Sequence, residues 1–143
     1  MRKLFSLGLL FFLIPLYSIF AYTNPGNPTG FVNDFAGVLT EEQKTNLENK
    51  LTNFEKETTN EISVVIIPNL GGDTVENYAE KLFKDWGIGK EKEDNGALLL
   101  IAIEDREMRI EVGYGLEPTL TDLLSSRIIK EVLIPAFQQN NFY

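Results

Sequence analysis

Residues 86–122, WGIGKEKEDNGALLLIAIEDREMRIEVGYGLEPTLTD, hold two strand-like runs joined by four polar residues, with glycines and carboxylates at both outer ends. Ala97 to Ile103 is apolar throughout, the pattern of a strand covered on both faces. Met108, Ile110 and Val112 alternate with Arg109 and Glu111, which predicts a strand that has one wet face or lies at an edge. The bridge Glu104-Asp105-Arg106-Glu107 is short enough for a hairpin. If the two runs pair, Asp94-Asn95-Gly96 and Gly113 to Glu117 meet at the same end of the hairpin.

Upstream, Ile62 to Ile67 (ISVVII) is a β-branched run that suits another doubly covered strand. Thr40 is a helix N-cap with Gln43 three residues later, and Leu47, Leu51 and Phe54 follow at helical spacing until Thr58-Thr59-Asn60. Asp73 or Thr74 caps a second helix whose apolar stripe is Val75, Tyr78, Ala79, Leu82, Phe83 and Trp86, with Gly87 as its stop. Trp86 fits that stripe and reads as core. Thr119 or Thr121 caps a third helix bearing Leu123, Leu124, Ile128, Ile129 and Val132, which Pro135 should end or kink after Ile134. The order helix, strand, helix, strand, strand, helix contains one right-handed βαβ unit extended by an antiparallel strand. The predicted fold class is α/β, a three-layer α/β/α sandwich with a small mixed β-sheet.

The amino terminus has a different character. Met1-Arg2-Lys3 precedes an uncharged apolar stretch, Leu4 to Phe20, and the small residue Ala21. This is the layout of a secretory signal peptide over residues 1–21, with a retained N-terminal anchor as the alternative. Tyr22 to Gly30 (YTNPGNPTG) reads as an extended linker, and the domain runs from residue 31 to residue 143. The expected location is extracytoplasmic, periplasmic or secreted, with membrane attachment only through an uncleaved N-terminal segment. Removing residues 1–21 takes Arg2 and Lys3 from the 13 basic residues and nothing from the 21 acidic ones, so the formal charge becomes −10. Such a surface repels nucleic acid and anionic lipid, and a cation is the simpler partner. Acidity that only keeps the domain soluble explains the charge equally well.

The chain contains no His and no Cys. Ser-His-Asp and Cys-His catalysis, imidazole acid-base chemistry, disulfides and the usual zinc and copper sites are thereby excluded. Any metal would be hard and oxygen-ligated, Ca²⁺ or Mg²⁺. Glu91 to Gly96 begins like an EF-hand loop, but its later ligand positions fall on Leu99 and Ala102, and Gly113-Tyr114-Gly115 fails as a dinucleotide fingerprint at Pro118. What survives is carboxylates on separate loops at one end of a hairpin, with Glu117 and Asp122 flanking a helix start. Asp122 also fits a first-turn acid, Asp94-Asn95 an Asx turn, and Asp34, within the compact turn Val32 to Gly37, a turn acid.

At Val32-Asn33-Asp34-Phe35-Ala36-Gly37-Val38-Leu39, Trp86-Gly87-Ile88-Gly89, Asp94-Asn95-Gly96-Ala97-Leu98-Leu99-Leu100, Arg109 to Glu117 and Leu120-Thr121-Asp122 the chain resembles the TPM domain family. That family includes a thylakoid-lumen photosystem II repair protein and many secreted or membrane-attached bacterial proteins. The resemblance implies an α/β/α fold, an extracytoplasmic setting, divalent-cation binding by acidic loops and a proposed acid-phosphatase activity. Carried over by position, the metal candidates are Asp34, Asp94, Asn95, Glu117 and Asp122. Family members usually continue into another helix after the segment resembling Ile134 to Phe137, so the chain reads as a short or C-terminally truncated member. The function expected is that of a Ca²⁺- or Mg²⁺-binding module in assembly or repair of a membrane protein complex. The alternative is a metal-dependent phosphomonoesterase using Asp34 or Asp94 as base or nucleophile.

Overall fold

The computed structural model describes residues 22–139 and Asn141. The expected signal peptide lies outside the described residues. Four strands form one mixed sheet in chain order: β1 (Val32–Asp34), β2 (Glu61–Ile67), β3 (Gly96–Ala102) and β4 (Glu107–Val112). The first three are parallel, and β4 returns antiparallel to β3 with Leu99 opposite Ile110. Helices α1 (Glu41–Thr58) and α2 (Val75–Trp86) connect the parallel strands. Both begin where the sequence has a hydroxyl cap: Thr40 and Gln43 form a reciprocal capping box, and the Thr74 hydroxyl accepts the Asn77 N–H. Gly87 ends α2 in the left-handed conformation at φ 60°.

The two sides of the sheet are covered unequally. Val65, Ile67, Leu98 and Leu100 face α2, where Val75, Tyr78, Ala79 and Leu82 are all buried. Val64, Ile66 and Ile101 face the other way, toward Leu47 and Leu51 of α1 and Phe137 near the C-terminus. No residue of α1 is fully buried, because its apolar stripe is narrow and its remaining surface is polar. These are the three layers that the two uninterrupted apolar strands require. The crossovers β1–α1–β2 and β2–α2–β3 step the same way across the sheet, yet their helices lie on opposite faces, so the two have opposite hands. One of them departs from the right-handed rule used to expect the βαβ unit.

Three local features differ from the sequence reading. Val32-Asn33-Asp34 is a strand rather than part of a turn; three residues are too few for periodicity to register, and pairing with Val64 to Ile66 makes the segment extended. The segment Tyr22 to Gly30 has no regular secondary structure, as a linker should, but it is bound along α2. Tyr22 packs edge-on to Tyr78 at 4.9 Å, the Tyr78 hydroxyl donates to the Thr23 carbonyl, and the half-buried Trp86 indole donates to the Gly26 carbonyl at 3.0 Å. Burial pushes the Tyr22 hydroxyl well above its ordinary pKa, and the neighbouring Asp85 carboxylate adds to this, although no hydrogen bond of ordinary geometry joins the pair.

Pro135 does not end the last helix either. The helix begins as α3 (Asp122–Arg127), widens into a π-helical turn over Ile128–Leu133, and closes as α4 (Ile134–Gln138). The Ile134 N–H donates to the Ile129 carbonyl five residues back, so Pro135 falls in the first turn of a new helix, where its missing N–H leaves no gap. Leu123 and Val132 on this segment are 71% and 60% exposed.

Candidate functional site

The sheet has two ends, and acidic loops lie at both. In a parallel sheet the C-terminal ends of β1, β2 and β3 share one side, so the loop after Asp34 lies beside the turn after Ile67 and the β3–β4 hairpin. Asp94, Asn95 and the segment after Val112 lie at the other. Asp34 pairs with Ile66 and Glu61 with Gly96, so about 16 Å of strand separates the two ends at the usual rise per residue. Asp34 therefore does not belong to one site with Asp94, Asn95, Glu117 and Asp122.

Asp34 is also chemically occupied. Its Oδ1 accepts the N–H groups of Ala36 and Gly37 at 3.1 and 2.8 Å, and its Oδ2 accepts that of Leu39 at 2.8 Å. One carboxylate thus organises the entire turn from β1 into the cap of α1. Its neighbours at that end are used in the same way. Asp105 accepts the Leu70 N–H, Glu104 accepts the Asn69 amide, and Asp73 accepts the Thr74 N–H and the Asn77 amide.

At the opposite end the residues divide by role. Asn95 is buried and its amide is spoken for: Oδ1 accepts the Lys90 N–H at 2.9 Å and Nδ2 donates to the Thr59 carbonyl at 2.6 Å. It ties the loop before β3 to the end of α1. Asp94 is half-buried and holds the left-handed conformation at φ 47°. Its carboxylate accepts a single main-chain bond, from Tyr114 at 3.1 Å, and its carbonyl accepts the Gly115 N–H at 3.0 Å.

The glycines of this end exist for contact. A Cβ at Gly113 would lie 2.3 Å from the Asp94 carbonyl oxygen, and one at Gly115 2.0 Å from that of Glu93. No side chain fits there, so the two loops meet main chain to main chain. Gly89 and Gly96 close against each other likewise, joining the Trp86 to Gly89 block to the Asp94 to Leu100 block. Tyr114, between the clamped glycines, is 79% exposed. Glu117 and Asp122 are exposed in the segment that follows. Thr121, not Asp122, caps α3 through its hydroxyl, which leaves Asp122 in the first turn.

The donor set at this end is oxygen only, which suits a hard cation. Among the described residues, however, no group of three or more acidic side chains is close enough to hold a metal ion. A cation here would draw on Asp94, main-chain carbonyls and water in place of a carboxylate cage. The sequence reading missed Glu61, which lines a cavity of about 270 Å³ with Pro28, Phe31, Ser63 and Trp86 beside this end. Its carboxylate accepts the Gly89 N–H at 3.1 Å and the Ser63 hydroxyl at 3.3 Å. Only its place at the start of a strand opposite Gly96 could have signalled it.

Comparison with known proteins assigns this architecture. The solution structure of the N-terminal domain of a protein from P. gingivalis is 35% identical and superposes with a TM-score of 0.76, covering 85% of this chain and 83% of that one. The N-terminal domain of the cg2496 protein from Corynebacterium glutamicum shares the fold at 19% identity and a TM-score of 0.63, over 80% of this chain and 70% of that one. No curated protein matches. The family model described as the TPM domain matches residues 32–143, which begins at β1 and takes in both loop clamps and the C-terminal helices. The chain therefore belongs to the TPM domain family.

Proposed function

We propose that this TPM domain is a divalent-cation-binding module that works outside the cytoplasm, in assembly or repair of a membrane-associated complex. The observation that carries the reading is the Asp94 clamp. A carboxylate with spare acceptor capacity is held rigid, in a left-handed residue, between two loops too close to admit a side chain. Rigid presentation of oxygen donors is what a hard cation rewards, since ordering them on binding would cost conformational entropy. Glu117 and Asp122 follow in the adjoining segment as further carboxylates. The acids at the other end lack this character, each being committed to a turn. The extracytoplasmic setting rests on the signal-like residues 1–21 and on the family.

Calorimetric titration with Ca²⁺ and with Mg²⁺ tests the reading. Binding should occur for at least one ion, and Asp94→Ala should weaken it by at least about tenfold, the loss that even an outer-shell change causes at metal sites. Asp122→Ala should weaken it less, and Asp34→Asn should leave it unchanged. No heat with either ion, or equal affinity in the Asp94 and Asp122 variants, would sink the proposal.

A further inference from the structure

The two edges of the sheet are finished differently. On β1 the outward N–H of Val32, together with that of Phe31, is taken by the carboxylate of Glu48 from α1, at 2.8 and 2.9 Å. That edge is three residues long and capped. At the other edge β4 is six residues long and is the last strand of the sheet. The Gly113 N–H donates inward to the Gly96 carbonyl, so in the antiparallel ladder Glu111 and Arg109 also turn their main chain toward β3. Met108, Ile110 and Val112 therefore turn theirs outward, and the sheet supplies no partner for them among the described residues.

We propose that this edge pairs with β4 of a second copy of the chain, antiparallel, about a two-fold axis at Ile110. The strand EMRIEV is complementary to itself in this register. Ile110 faces Ile110, Met108 faces Val112, and Arg109 faces Glu111 of the other copy. The outward-facing residues are also the ones that this register places in hydrogen-bonded pairs, so each of Met108, Ile110 and Val112 both donates and accepts. On one face the apolar row continues across the axis. On the other, Arg109 and Glu111, already joined at 3.2 Å within one chain, would meet their counterparts in a four-charge cluster of alternating sign. A closed two-fold pairing uses up the β4 edge of both copies and stops there. An edge bearing like charges at these two positions would repel itself in the same register.

The test is the mass of the full chain by sedimentation across micromolar to submillimolar concentration. A dimer is expected for the native chain. Arg109→Glu and Glu111→Arg should each weaken it by about tenfold, from two cross-strand charge pairs per dimer, and the double exchange Arg109→Glu with Glu111→Arg should restore it. Mixing the two single variants should give a mixed dimer tighter than either alone. Ile110→Pro removes an outward N–H without touching the ladder to β3, so it should give a folded monomer with an unchanged circular dichroism spectrum. A native chain that stays monomeric at submillimolar concentration overturns the proposal. So does a double exchange that binds no better than the single variants, or a monomer whose Ile110 amide is protected from hydrogen exchange, since another segment would then cover the edge.

Discussion

The Asp34 end and the Asp94 end of the sheet carry similar residues and use them oppositely. At the Asp34 end every carboxylate named above accepts main-chain or amide hydrogens and so builds a turn. At the Asp94 end glycine contacts and the Asn95 amide do most of the joining, with Glu61 holding the Gly89 N–H, and the Asp94 carboxylate is left with one main-chain bond, from Tyr114. In open α/β sheets ligands usually sit beyond the carboxyl ends of the strands, which here is the Asp34 side. The hydrogen-bond inventory argues for the other side. An acid whose two oxygens already accept three N–H groups would weaken those bonds to hold a cation, whereas Asp94 has one such bond to weaken.

The largest effect should come from a glycine of the Asp94 end. Gly113→Ala forces a Cβ against the Asp94 carbonyl in a buried position, and its cost should reach about 3 kcal/mol, the upper range for overpacking. Denaturant unfolding measures it, and a loss below about 0.5 kcal/mol, the usual limit for an indifferent substitution, would mean that the loops are not clamped. Next comes Asp34→Ala, which strands three N–H groups in a partly buried turn. It should lose about 2 kcal/mol, the scale of one unsatisfied or charge-assisted hydrogen bond, because solvent can reach part of the turn. The smallest effect on the apo protein should be Asp94→Ala, about 1 kcal/mol for one exposed bond and an alanine in a left-handed residue. Thermal melts in millimolar Ca²⁺ add a second readout: the midpoint should rise equally for the native chain and for Asp34→Ala and clearly less for Asp94→Ala. A larger apo loss at Asp94 than at Asp34 would reverse the roles assigned to the two ends.

Much of the fold was legible because it rests on periodicity and caps. Ile62 to Ile67 and Ala97 to Ile103 are apolar at every position but one, Ser63, which suits central strands, while Thr40, Thr74 and Gly87 mark helix ends by their own side chains or lack of one. β1 was not legible, since Val32-Asn33-Asp34 becomes a strand through β2 and Glu48, neither of which is local. Pro135, expected to end or kink the helix, does not end it, because the π turn before it resets the hydrogen-bond ladder. Of the five candidate residues, the sequence identified the chemistry and not the employment. Nothing in Asp34 or Asn95 as residue types says that their hydrogen-bonding capacity is spent on Leu39 or Thr59.

Residue types and their spacing were enough for the layer order, the antiparallel pairing of β3 with β4, the absence of imidazole and thiol chemistry, and the family. These depend on residue type and short-range spacing, which survive in any conformation of the chain. The long-range contacts settled that Asp34 and Asp94 lie at different ends, that Tyr22 to Gly30 lies bound along α2, and that one sheet edge is capped while the other has no strand partner among the described residues. Those outcomes depend on which distant main-chain groups meet, and hydrogen bonding between segments far apart in sequence leaves no local pattern to read.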